Sequence, residues 1–260
     1  MLHHEISGNG KKPLVLLHGF MENTTIWDEM EAHLSKDFTL IKIDLPGHGK
    51  SKVYQEIHTV ELMAEKVKEV IDALKLEKIN LLGHSLGGYV SLAFAEKFPE
   101  ILESMTLFFS TTVADDQEKK AIRRRSIAVI DENFETFVKT SIPNLFSNNE
   151  KDILEGKIEL AKNIAKSTNK EGVKAAQLGM AERPDRTEIL ENLDAKILII
   201  AGKYDNAVKT ENLLKIIPEK TNIKTYVLDC GHNGHWEKPT ICAEIINTEL
   251  LHNLPKHLVL

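Results

Sequence analysis

Residues 83–88 read Gly-His-Ser-Leu-Gly-Gly, and the apolar run Ile79-Asn80-Leu81-Leu82 leads straight into them. Behind them come Leu86, Val90, Ala93 and Phe94 at helical spacing. A G-x-S-x-G sequence between a buried strand and a helix folds as a sharp elbow that lifts the serine Oγ above the end of a sheet. The residues on either side, Gly83 and Gly87, must be small for so tight a turn to close. This segment therefore predicts an α/β fold and makes Ser85 the first candidate functional residue.

The rest of the chain supplies the sheet that such an elbow needs. Leu14-Val15-Leu16-Leu17 is a continuous apolar run, the mark of a strand covered on both faces. Further strands are expected at Phe38 to Ile43, Ile79 to Leu82, Met105 to Phe109, Ile197 to Ala201 and Lys224 to Leu228. Leu2 to Ile6, turned by Gly8-Asn9-Gly10, is expected to add an antiparallel edge strand. Between strands, Met63, Val67, Val70 and Leu74 step with helical period, with Thr59 as N-cap and Glu61 in the first turn. Alternating strands and helices predict a mostly parallel central sheet with helices on both faces.

The alternation stops between Thr111 and Asn192. That span reads as helix after helix, with polar breaks near 147–149, 167–169 and 183–185. The expected organisation is a core formed by 1–110 and 193–260, with an all-helical lid, 111–192, inserted at the carboxyl edge of the sheet, where ligands of open α/β sheets bind. Phe134, Phe137, Ile142 and Phe146 are either a hydrophobic entrance or the face that packs on the core. The charge-rich run Glu118 to Arg125 reads as a solvated helix face, with help in admitting an anionic substrate as the alternative.

Composition narrows the function classes. With 260 residues, 42% hydrophobic, the chain can bury the core of one large domain. A net charge of −6 gives no basis for a nucleic-acid partner. No apolar run approaches the roughly 20 residues that cross a bilayer, and the first ten residues carry no signal core. A cytoplasmic protein with no membrane partner is expected. Cys230 and Cys242 form no metal spacing and are expected to be reduced, with Cys230 small and buried rather than reactive.

A serine hydroxyl is a weak nucleophile near neutral pH and needs an adjacent base, itself oriented by a carboxylate. Two later strands end in suitable residues. Ile197 to Ala201 runs into Gly202-Lys203-Tyr204-Asp205, and Thr225 to Leu228 runs into Asp229-Cys230-Gly231-His232. Asp205 and His232 are thus the expected partners of Ser85. His235 is the rival base; Asp229, Asp115 and Asp116 are rival acids. The oxyanion donors are expected to be the backbone N–H groups of Leu86 and of Phe20, in the loop His18-Gly19-Phe20. His18, Trp27, Tyr89, Phe109 and Trp236 are candidates to line an acyl or alcohol pocket, although large aromatics also pack cores. His18 and His48 suit turn hydrogen bonding, and His84 is expected to be a satisfied, partly buried histidine.

Other motifs are weaker. Gly47-His48-Gly49-Lys50-Ser51 resembles half a P-loop, but Asp44 stands where the first glycine belongs, so a structural turn is the better reading. His232 and His235 raise the question of a metal, yet only Asp229 or Cys230 is at hand to complete a site, and none is expected.

Taken together, His18-Gly19-Phe20, Asp44 to Ser51, Gly83 to Gly88, Gly202 to Asp205, and Gly231-His232 followed by Glu237-Lys238-Pro239 resemble the α/β-hydrolases of the compact bacterial esterase, enol-lactonase and C–C hydrolase type. The resemblance implies Ser85 as nucleophile, Asp205 as acid, His232 as base and no cofactor. It implies a serine hydrolase acting on a small-molecule ester or lactone. The alternatives are a C–C bond or enol-lactone hydrolase of a pathway intermediate, a cofactor-free perhydrolase or haloperoxidase, and a slow-turnover small-molecule receptor. Dehalogenase and epoxide-hydrolase readings are disfavoured: those enzymes carry aspartate in place of Ser85, and the epoxide enzymes use lid tyrosines, of which there are none between Tyr89 and Tyr204.

Overall fold

A computed structural model describes residues 1–251, so 252–260, the end of the expected core span, lie outside the described residues. Seven strands form one sheet: β1 (His4–Ser7), β2 (Lys12–Leu17), β3 (Phe38–Ile43), β4 (Ile79–His84), β5 (Leu102–Phe108), β6 (Lys196–Gly202) and β7 (Ile223–Leu228). Their order is β1-β3-β2-β4-β5-β6-β7. Only β1 is antiparallel, with His4 opposite Ile43. The edge strand thus begins two residues later than the expected Leu2 to Ile6 and ends one residue later, and Leu2 itself is buried just before it.

The apolar runs become central strands because both faces are covered. Along β2, Val15 and Leu17 enter one core cluster while Leu14 and Leu16 enter the other, the two-residue alternation of a pleated strand. The first cluster is closed by the helices Val60–Ala73 and Leu86–Lys97 and the second by Asp28–Leu34 and Pro239–Leu251. Thr59 caps its helix as expected, its Oγ1 accepting from the Leu62 N–H at 3.1 Å.

Between β5 and β6, all the regular elements are helical: Gln117–Ser141, Glu155–Ser167, Lys170–Glu182 and Glu188–Asn192, with short 3-10 turns. The first breaks at Asn133, whose φ of −155° and ψ of 84° interrupt the helix. Its Oδ1 then accepts from the Thr136 N–H at 2.9 Å and caps the second half. The far end of the insertion is fixed to the sheet layer by Arg186, buried and within 2.6 Å of Glu61 and 2.8 Å of Glu96. Among the described residues, no helix is long and apolar enough to cross a membrane.

Candidate active site

Because β4, β6 and β7 are parallel, the segments that follow them emerge at one rim. Ser85 follows β4 directly. Its φ of 49° and ψ of −110° are far from helix and strand, a strained conformation of the kind concentrated at functional sites. The two glycines make it achievable: a Cβ on Gly83 would lie 2.2 Å from the Gly87 carbonyl oxygen, and one on Gly87 would lie 2.4 Å from that of Leu17. The Ser85 N–H donates to Phe108 O across the sheet at 3.0 Å.

Asp205, three residues beyond β6, and His232, four beyond β7, reach the same point. His232 Nδ1 donates to Asp205 Oδ2 at 2.7 Å. A ring nitrogen facing a carboxylate carries the proton, so Nε2 is left as acceptor. Ser85 Oγ lies 2.8 Å from it. The other Asp205 oxygen accepts from the N–H groups of Ala207 and Val208 at 2.7 and 2.8 Å, which fixes the carboxylate from behind. The His232 N–H donates to Leu145 O at 2.7 Å, so the histidine loop is tied to the helical insertion.

The rivals have other partners. Asp115 is buried against Arg123 and Arg183, the latter at 2.9 Å; burial would raise its pKa, and the two guanidiniums outweigh that and lower it. Asp116 caps the helix that follows, accepting from the Lys119 N–H. Asp229 pairs with Lys203 at the surface. His235 is fully buried with neither ring nitrogen hydrogen-bonded, and burial drives its pKa well down.

A cavity of about 750 Å³ opens over Ser85 and His232. Phe20 and Tyr89 line it from the core, and Ile122, Phe137, Leu145 and Met180 from the insertion. Leu86 opens the helix behind Ser85, so its N–H is one of the first-turn donors that a helix leaves unbonded.

Of the five pocket candidates, only Tyr89 lines this cavity. Trp27 is wholly buried against Phe108 and His235. Phe109 packs edge-on to Phe108 behind the site; it falls outside β5, at a φ of 50°. Trp236 stacks parallel on Phe146 at 6.0 Å, sealing the seam between the histidine loop and the insertion. His18 donates from Nδ1 to Gly19 O and accepts at Nε2 from the Leu45 N–H at 2.9 Å, so it serves the turn. Large rings find more apolar contact below the rim than at an open cavity.

The insertion aromatics divide. Phe137 faces the cavity, while Ile142 and Phe146 are core. The charged run divides as well: Arg124 pairs with Glu182 on the surface, but Arg123 and Lys119 turn toward the cavity. Within the half P-loop, the Asp44 carboxylate accepts from the N–H groups of Thr24 and Lys50. An internal carboxylate thus closes the turn. Both cysteines are free and buried, and burial pushes both thiols up, Cys242 to about 12.

Two carboxylates that sequence reasoning did not single out organise the rim. Glu237, matched above only as part of a motif, accepts from the N–H groups of Gly231, Asn233 and Ser147. Glu22 accepts from the Gly19 N–H and from His84. Each ties its own loop to a distant one, Glu237 reaching Ser147 and Glu22 reaching His84, and no local periodicity or spacing marks such a tie. Among the described residues, Glu22, His84 and His235 are the one cluster of metal-ligand type, with donor atoms within 4.8 Å of one another. The hydrogen bonds of Glu22 and His84 already engage most of those donors.

The sequence profile of the alpha/beta hydrolase fold matches residues 12–239. The chain belongs to the α/β-hydrolase fold family. A thermophilic esterase from Thermogutta terrifontis, solved with malate bound, superposes on this hydrolase with a TM-score of 0.89 and 33% identity over 96% of this chain and 93% of that one. A putative 2-succinyl-6-hydroxy-2,4-cyclohexadiene-1-carboxylate synthase of Bacillus subtilis (strain 168) is 28% identical over 92% of this chain and 90% of its own length. A 2-hydroxy-6-oxononadienedioate/2-hydroxy-6-oxononatrienedioate hydrolase of Escherichia coli (strain K12) is 26% identical over 91% and 86%.

Proposed function

We propose that this hydrolase cleaves carboxylic esters or lactones through an acyl-enzyme on Ser85. The observation that carries the reading is the hydrogen-bonded chain from Ser85 Oγ through His232 to Asp205, with the serine facing a cavity. His232 takes the hydroxyl proton as Oγ attacks the carbonyl carbon. The oxyanion forms toward the N–H groups of Phe20 and Leu86, where one donor is worth roughly 3 kcal/mol. His232 then gives its proton to the leaving alkoxide. In the second half it takes a proton from water, the resulting hydroxide attacks the acyl carbon, and Ser85 leaves with the proton returned to Oγ. Asp205 holds the imidazole in the required tautomer throughout. The helical insertion acts as the lid, and Phe137, Leu145 and Met180 give the acyl or alcohol side an apolar wall.

A C–C or enol-lactone hydrolase is the second reading. It is supported by the Escherichia coli relative and by Lys119 and Arg123 at the cavity, which suit a substrate that carries carboxylates. A panel of short p-nitrophenyl esters, lactones and vinylogous 1,5-diketo acids, run with wild type and Ser85→Ala, tests both. Ester or lactone turnover lost in Ser85→Ala supports the first reading; turnover confined to the diketo acids supports the second. Turnover unchanged in Ser85→Ala removes both.

A further inference from the structure

Beneath the rim, one carboxylate and one imidazole join three separate segments. Glu22 Oε2 accepts from the Gly19 N–H at 2.6 Å and from His84 Nδ1 at 2.8 Å. His84 Nε2 lies 3.0 Å from the backbone carbonyl oxygen of His232. The segments are the loop after β2 that carries Phe20, the residue just before Ser85, and the loop that carries the histidine partner of Ser85. Space for the junction depends on Gly19: a Cβ there would sit 2.7 Å from both Glu22 Oε2 and His84 Nδ1.

The contacts themselves decide the charge of the ring. A neutral imidazole has one N–H. Both nitrogens of His84 face acceptors, one a carboxylate and the other a carbonyl, and only the imidazolium satisfies both. Its surroundings are otherwise poor in charge. His235 and His232 pack on it with ring centroids at 4.6 and 5.1 Å, with Phe108 and Phe109 beside it. His18 lies near from the β2 side and Asp205 from the β6 side. Burial keeps His235 and His18 neutral, and Asp205 is engaged with His232. Glu22 is therefore the countercharge in contact with His84.

We propose that Glu22 and His84 are positioning residues: a buried ionic strut that holds the Phe20 loop and the His232 loop in register with Ser85, and does so fully only while His84 is doubly protonated. This rests on the serine-hydrolase reading. Burial would strip the proton from His84, but the charge and hydrogen bond of Glu22 outweigh it and raise its pKa. Burial would likewise protonate Glu22, and His84 outweighs it, holding the carboxylate down to about 2. The two acceptors define a charged strut, and it weakens as pH rises through the raised pKa of His84. Above that point, one of the two acceptors loses its donor.

The test is a pair of kcat and KM pH profiles for the wild type, Glu22→Gln and His84→Gln on the best ester of the panel. In Glu22→Gln, kcat at pH 7 should fall roughly 10- to 100-fold with KM within about threefold, the scale of a small misplacement of reacting groups. The alkaline fall of kcat should move to lower pH in Glu22→Gln and vanish in His84→Gln. A kcat within twofold of wild type in both variants, or a loss with the alkaline limb unmoved, overturns the proposal. Should the variants fail to fold, the wild type still decides. Nitrogen-15 spectra of labelled histidine should show both His84 nitrogens protonated at pH 7, and a neutral ring overturns the strut. Ser85→Ala in the same assay separates the two claims, because activity that survives there sinks the serine reading while leaving the imidazolium result standing.

Discussion

The rim of the sheet and the helical insertion above it are built on opposite terms. At the rim, parallel strand ends fix the backbone, and polar side chains sit at short, mutually constrained distances: Asp205 to His232 at 2.7 Å, His232 to Ser85 at 2.8 Å. In the insertion, helices pack through apolar residues such as Ile130, Val138, Ile158 and Val173, carry ion pairs on their outer faces, and break at Asn133. Under the proposed function, the rim sets the chemistry and the insertion sets what reaches it.

Substitutions at the rim should have the largest effects. Asp205→Asn leaves the shape but favours the wrong imidazole tautomer, and kcat should fall on the order of 10⁴-fold with little change in melting temperature; a fall below tenfold would mean that another carboxylate orients His232. Gly83→Ala forces a Cβ onto the Gly87 carbonyl, and should destabilise the fold by about 3 kcal/mol or more, read by chemical denaturation.

The insertion should respond in stability and substrate choice rather than chemistry. Arg186→Ala removes the buried partner of Glu61 and Glu96 and should lower stability by about 1–3 kcal/mol, with KM changing more than kcat. An equal loss of kcat and stability would dissolve the distinction between the regions.

Acid should act through the core side of the site. Burial holds His48 down to about 3, and His84 holds Glu22 down to about 2. Each folded pKa lies below its ordinary value of 6.5 or 4.5, so each group contributes stability that is present above that value and lost as pH falls toward the folded one. Denaturation midpoints should therefore decline from pH 6.5 downward, and His48→Gln should flatten the upper part of that decline. The smallest effect belongs to Arg124→Ala. Its pair with Glu182 is more than half exposed on both sides, and stability should stay within about 0.5 kcal/mol.

Legibility follows the same division. The central strands were readable because a strand covered on both faces has little but apolar residues, and the meeting of Ser85, Asp205 and His232 could be expected because each lies within four residues of the end of a parallel strand. The apolar face of the insertion was less so. Phe137 and Phe146 have the same chemistry, and only the tertiary path sends one to the cavity and the other under Trp236. Trp27 and Phe109 were misplaced for the same reason, since size predicts burial and not which side of the rim. Glu22 was invisible because its partners are Gly19, His84 and, through His84, residue 232. No local pattern encodes a junction of segments so far apart in the chain.

The central claim is that Ser85 is activated by His232. A fluorophosphonate probe, followed by peptide mapping, measures this directly. A single adduct on Ser85 in the wild type, absent in His232→Ala at equal folding, is the predicted result. No adduct, or one on another residue, would contradict it.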